Sequence, residues 1–267
     1  MEGKYFDLSQ DATLGGDSPS TTKIPSEAAL KAYIDAKAAG AGANYFYVED
    51  ASGAANTLTI KKSNNALADK VFEWSYDKAT WTEITIENTT GVSIPISANG
   101  KVYLRGDNET LTANNGQYYT KIGCSANFNI GGDLTTLLHT VGSQFYATKY
   151  YLAYLFNQSK VVDASALILP AKSLMDYSYA YMFRNCTALT QAPALPATTL
   201  ASNCYAGMFS GCTTLNHVEV YATAWNNPSN WLNGVAATGD FYNLGGATIP
   251  TGTNGIPSGW TEHTQLP

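Results

Sequence analysis

Charge is what this chain has least of. Of its 267 residues only 15 are Lys or Arg and 21 are Asp or Glu, so charged side chains make up 13%, against about 25% in an ordinary globular domain. Hydrophobic content is ordinary at 45%, so Thr, Asn, Ser, Gly and Tyr have taken the place of the missing charge. Disorder is excluded, because it needs low hydrophobicity together with high net charge. A net charge of −6 argues against nucleic acid as a partner, since phosphate binding needs a basic footprint. No run of about eighteen apolar residues occurs, so no membrane-spanning helix is expected. Met1-Glu2-Gly3-Lys4-Tyr5-Phe6-Asp7 has neither a basic n-region nor an apolar h-region, so the chain as it stands is not expected to be addressed for secretion. Cysteine is scarce as well. Cys124, Cys186, Cys204 and Cys212 form no Cys-x-x-Cys, have no histidine at metal-ligand spacing, and are too few for a disulfide scaffold; buried free thiols are the default reading.

Catalytic patterns are missing too. His139, His217 and His263 are the only histidines, and none lies in a nucleophile or metal motif. Gly245-Gly246 lies in a coil-like tail, and no phosphate-binding loop occurs. Glu83 and Glu87 could be imagined as a glycosidase pair, but carboxylates four apart on a strand usually form a solvated face, and their polar surroundings would not split their pKa values. Neither an enzyme nor a cofactor or metal is expected.

What remains is organised unevenly. No Lys or Arg follows Arg184, and between Asn185 and Gly239 the only charged residue is Glu219. Residues 1–24 are polar, with a turn cluster at Gly15–Ser20. Ser26 then caps one helix, Glu27 sits in its first turn, and Gly40 and Gly42 stop it. Its narrow stripe of Leu30, Tyr33 and Ile34 looks like an oligomerisation seam, and a helix of about four turns must pack on something. From Asn44 to about Asp133 the period becomes two. Tyr45–Val48, Leu58–Ile60, the alternating Phe72, Trp74 and Tyr76, then Trp81–Ile86, Val92–Ile96 and Lys101–Arg105 read as strands of an antiparallel β-sandwich. Asp77–Thr80 turns the third of these into the fourth.

The C-terminal half repeats itself. Tyr181-Met182-Phe183-Arg184-Asn185-Cys186-Thr187-Ala188-Leu189 matches Gly207-Met208-Phe209-Ser210-Gly211-Cys212-Thr213-Thr214-Leu215 twenty-six positions later. Pro170, Leu174 and Tyr179 recur as Pro196, Leu200 and Tyr205. Tyr154–Ser159 is an earlier, degenerate copy. Such units cannot bury their apolar faces alone and must stack. Cys186 and Cys212 read as stacked thiols in that ladder more readily than as a disulfide or metal pair. Tyr177, Tyr179, Tyr181 and Tyr205 lie beside repeat-core positions and read as structural, and His217, next to Leu215, as a half-buried structural residue. Tyr150, Tyr151, Trp225 and Trp231 are the candidates for exposed ligand contacts. The fold expected is therefore mainly β: an N-terminal segment and short helix (1–43), a β-sandwich (44–133), repeats (134–220) and a C-terminal cap (221–267).

Met-Phe-x-x-Cys-x-x-Leu, Ala194–Ala201 and Cys204-Tyr205 resemble the BspA-like leucine-rich repeat family over about residues 145–220, and Gly255–Trp260 is similar to tails that close such arrays. The resemblance implies a leucine-rich solenoid and a surface adhesin. Only two good copies and one poor one occur here, so a long concave surface is not expected. Asp11–Ser20 followed by Ile24–Asp35 resembles the virion-attachment end of phage tail-fibre proteins. That likeness implies a head or tail fibre or appendage, trimeric, held to other virion proteins through Leu14, Ile24, Leu30, Tyr33 and Ile34. Its partner would be a host cell-surface glycan or protein and its location the virion. The alternative is a bacterial cell-surface adhesin.

Overall fold

The computed structural model describes residues 44–138, 149–170 and 174–267. The chain divides into two compact units, 1–44 and 45–267, and all but one of the described residues belong to the second. The helix expected from Ser26, and with it Leu14, Ile24, Leu30, Tyr33 and Ile34, lies outside the described residues.

The period of two becomes strands because each alternate side chain finds a core. In β1 (Phe46–Asp50) Phe46 and Val48 are buried while Tyr47 and Glu49 face outward. β2 (Asn56–Lys62) buries Leu58 and Ile60 in the same way. β3 (Lys70–Ser75) and β4 (Thr82–Ile86) form the expected hairpin. Its turn does without Asn-Gly: the Asp77 carboxylate accepts from the amides of Ala79 and Thr80, each at 2.8 Å, and Lys78 takes the left-handed conformation. This is the Asx-turn chemistry that makes Asp a turn former. β5 (Val92–Ile96), β6 (Lys101–Gly106), β7 (Thr120–Cys124) and β8 (Phe128–Asp133) complete the antiparallel set.

Two sheets result. One runs β4-β3-β6-β1-β8 and ends on β9 (Ala166–Ile168), which lies parallel to β8; the other runs β5-β2-β7. Their inward side chains, among them Phe46, Leu58, Phe72, Ile94, Leu104 and Ile122, meet in one core. A third sheet, β10 (His217–Val220), β11 (Gly239–Asn243) and β12 (Trp260–His263), is wholly parallel. The fold is mainly β with antiparallel sheets, as expected; the parallel strands were not.

The core does not stop at Asp133. Phe46 lies 6.0 Å from Phe156, which is 5.3 Å from Phe183, which is 5.6 Å from Phe209. Trp231 follows at 6.3 Å and Phe241 at 6.0 Å. All six rings are fully buried and belong to one cluster. Each such burial is worth roughly 1.5–3 kcal/mol.

Candidate functional site

The repeated segments stack as layers, and their hydrogen bonds account for why. Every second amide points along the stack: Tyr154 to Ala180 O (3.1 Å), Phe156 to Met182 O (2.9 Å) and Gln158 to Arg184 O (2.7 Å). The next layer repeats this from Tyr181 to Ala206 O, Phe183 to Met208 O and Asn185 to Ser210 O, and the third from Gly207, Phe209 and Gly211 to Ser229, Trp231 and Asn233. Amides between them close tight turns within a layer, as Ala153 does on Tyr150 O and Asn157 on Tyr154 O. The first layer seats on β7 through Ile122 N–H to Leu155 O and on the segment before it through Leu111 N–H to Tyr151 O.

This geometry forces left-handed backbone at every fourth residue. Tyr150, Tyr154 and Gln158 have φ of 61°, 64° and 55°; Tyr177, Tyr181 and Asn185 have 57°, 58° and 58°. In the third layer the same places hold Asn203, Gly207 and Gly211. Glycine and asparagine tolerate this conformation, whereas a bulky residue there costs on the order of 1–3 kcal/mol and persists only where its surroundings insist on it. Four tyrosines occupy positions where glycine would be easier.

Their rings form two columns. Tyr150 stacks on Tyr177 at 4.6 Å and an interplanar angle of 10°. Tyr119 stacks on Tyr154 at 4.6 Å, and Tyr154 on Tyr181 at 4.8 Å. Tyr150, Tyr154, Tyr177 and Tyr181 pack on a small apolar patch of Ala153, Ala180 and Ala206, separate from the main core, and all five rings are half-buried. Because ring faces are used against one another, the columns present ring edges and a comb of hydroxyls. Asn203 Nδ2 donates to the Tyr177 hydroxyl at 3.1 Å. Burial, reinforced by Tyr181, pushes the Tyr154 phenol up to about 12, and burial beside Tyr177 raises that of Tyr150. These hydroxyls are therefore neutral donors and acceptors near pH 7, suited to binding rather than to proton transfer. Beside them Lys149 Nζ pairs with Asp176 at 2.9 Å, and Arg184 lies with its guanidinium carbon 5.6 Å from the Tyr181 ring centre.

Of the four expected contacts, Tyr150 is on this surface. Tyr151 and Trp231 are not contacts: both are fully buried. Tyr151 donates to the Tyr179 hydroxyl at 2.9 Å, which donates to Pro170 O; a ring one residue from an exposed position points to the interior. Trp231 belongs to the file of core rings and donates its indole N–H to Gly255 O at 2.8 Å. Trp225 is half-buried, 4.9 Å from Trp231, and donates to Asn254 O. The two indoles hold the segment around residues 254–255 against the last layer. Tyr179 and Tyr205 are fully buried, as expected of structural tyrosines, but Tyr177 and Tyr181 belong to the comb. The signal for them was present: Tyr150 and Tyr154 are four apart, as are Tyr177 and Tyr181, and Gly207 and Gly211 in register disclose the left-handed positions.

The two described histidines are tied to carboxylates. His217 Nε2 is 3.1 Å from Glu219, and His263 Nε2 is 2.7 Å from Asp240. Glu83 is exposed on an edge strand, as is Glu87 beyond it. The four cysteines are free. Cys186 donates its thiol to Phe156 O and Cys212 to Phe183 O, each at 3.0 Å. Burial pushes the Cys186 thiol up to about 11 and holds that of Cys212 well above the ordinary thiol value, so neither is a ready nucleophile or metal ligand. Compared with protein-family models, curated proteins and solved structures, the chain finds no match in any of the three.

Proposed function

We propose that this chain is a non-enzymatic structural protein of a phage virion, a head or tail fibre or appendage, that presents a repeat domain to the host surface. In this reading the two sheets form a β-sandwich, the stacked layers a short leucine-rich-repeat solenoid closed by residues 221–267, and the N-terminal segment a trimeric attachment end. The observation that carries the binding role is the tyrosine comb: four bulky residues held in left-handed backbone where the third layer has Asn203 and Gly207. Neutral hydroxyls at regular spacing on a rigid stack suit hydrogen bonding to a host glycan, with weak contacts multiplied by avidity in a trimer.

The test is adsorption. Particles carrying Tyr150→Asn and Tyr177→Asn together should bind host cells at least tenfold more slowly than wild type, with unchanged assembly. A deletion of residues 1–40 should abolish incorporation into the particle. Wild-type adsorption by the double variant removes the comb from the reading; incorporation of the deleted chain removes the virion-attachment end. The BspA-like Met-Phe-x-x-Cys pattern favours a second reading, a bacterial cell-surface adhesin. Immunogold labelling separates the two, on particles or on the cell envelope.

A further inference from the structure

We infer that the end of the longer tyrosine column is a subsite for an anionic sugar, with Arg184 as the anion's partner. This rests on the glycan-attachment reading of the comb. Three observations meet there. The column Tyr119–Tyr154–Tyr181 ends because the next layer has Gly207 in the same place. Tyr181 extends over that glycine, so that a Cβ on Gly207 would come within 2.5 Å of its ring carbons. Tyr181 thus covers Gly207, which is buried, and its own half-buried ring is the last of the column at the surface.

Beside this last ring stands an unneutralised cation. Arg184 is exposed and stacks near Tyr181. Among the described residues no carboxylate lies within ion-pair distance of it, whereas Lys149, at the other column, is paired with Asp176. Arg184 is also the last cation of the chain, facing a stretch whose only charge up to Gly239 is Glu219. Tyr181 holds the guanidinium by cation–π attraction, and its planar fork is built for a carboxylate or phosphate. A pyranose held at the hydroxyl edge of the column's end would place an acidic substituent within reach of that fork. The ligand class is an acidic polysaccharide, with either acid meeting the same group.

The experiment measures binding of the full chain to immobilised polygalacturonate, a glycerol-phosphate polymer and neutral dextran, at 0.15 M and 0.5 M salt. Wild type should favour one or both anionic polymers over dextran, and less so at high salt. Arg184→Gln should weaken that preference by about tenfold or more and leave dextran binding unchanged. Tyr181→Asn, a residue suited to left-handed backbone, should weaken all three. The stronger anionic probe identifies the acid. Unchanged anionic binding by Arg184→Gln overturns the subsite but leaves glycan attachment standing. Failure of wild type to bind any polymer, together with normal host adsorption by the tyrosine double variant, overturns both.

Discussion

The cysteines of the stacked layers show how one position can be chemically quiet and still demanding. Ser159, Cys186 and Cys212 share it, and Ser159 Oγ lies 3.4 Å from Cys186 Sγ. The site wants a small side chain able to satisfy a buried carbonyl, so Cys186→Ser should cost no more than about 1 kcal/mol in urea unfolding. Alkylation mapped by mass spectrometry should leave Cys186 and Cys212 unlabelled at pH 8 until the protein unfolds; labelling in the native state would contradict their burial. Two tyrosines make a sharper contrast. The Tyr205 hydroxyl is buried with no partner among the described residues, while that of Tyr179 links Tyr151 to Pro170 O. Tyr205→Phe should raise the melting temperature or leave it unchanged, and Tyr179→Phe should lower it. Asp50 is a third case. It is buried and accepts from Ser52 Oγ and from the amides of Asn99, Ser52 and Gly53 and from Asn56, which hold its carboxyl well below the usual range. A group that binds its proton less readily folded than unfolded contributes fully above the ordinary carboxylate pKa and loses that contribution as pH falls. Asp50→Asn should melt below wild type at pH 7, and the gap should narrow from about pH 5 towards pH 2.

At the scale of the element, a layer is held by hydrogen bonds along the stack and by the ring file inside it. The left-handed positions make the layer brittle to side chains in some places and not in others. Gly207→Ala adds a Cβ at φ +56° against the Tyr181 ring and should cost roughly 1–2 kcal/mol for the conformation alone. Gly234 and Gly246 have the same sign of φ but more room, so alanine there should be milder. If Gly207→Ala unfolds in urea like wild type, the packing of Tyr181 over the third layer is wrong. Phe183, between Phe156 and Phe209, should be the most expensive ring to lose, about 3–5 kcal/mol on truncation to alanine.

At the scale of the whole molecule, the ring file couples the sheets to the stack. Residues 44–133 expressed alone would expose the apolar surface that Tyr151, Leu152, Leu155 and Phe156 cover, and β8 would lose β9. Such a fragment should fail to give a monodisperse folded species by size exclusion and circular dichroism. Residues 45–267 should instead melt in one calorimetric transition with matching van't Hoff and calorimetric enthalpies. Two resolved transitions would mean that sheets and layers are separable after all.

Local pattern determined a good deal. Alternation at Phe46/Val48 and Leu58/Ile60 marked strands because a period of two has only one way to bury alternate side chains. The twenty-six-residue recurrence of Phe and Cys required stacking, since neither could be buried within one unit. What the sequence could not decide was on which side of a sharp turn a ring falls. Tyr150 and Tyr151 are neighbours, yet one is in the comb and the other in the core, because the left-handed backbone at Tyr150 swings successive side chains to opposite sides. Trp225 and Trp231 looked like exposed aromatics in a polar tail until the tail folded back over them. The parallel strands β10, β11 and β12, too, arise from stacking, which places successive segments side by side in the same direction. Composition set the materials and the period; the direction of each side chain belonged to the tertiary structure, because it depends on contacts with residues about twenty-five positions away.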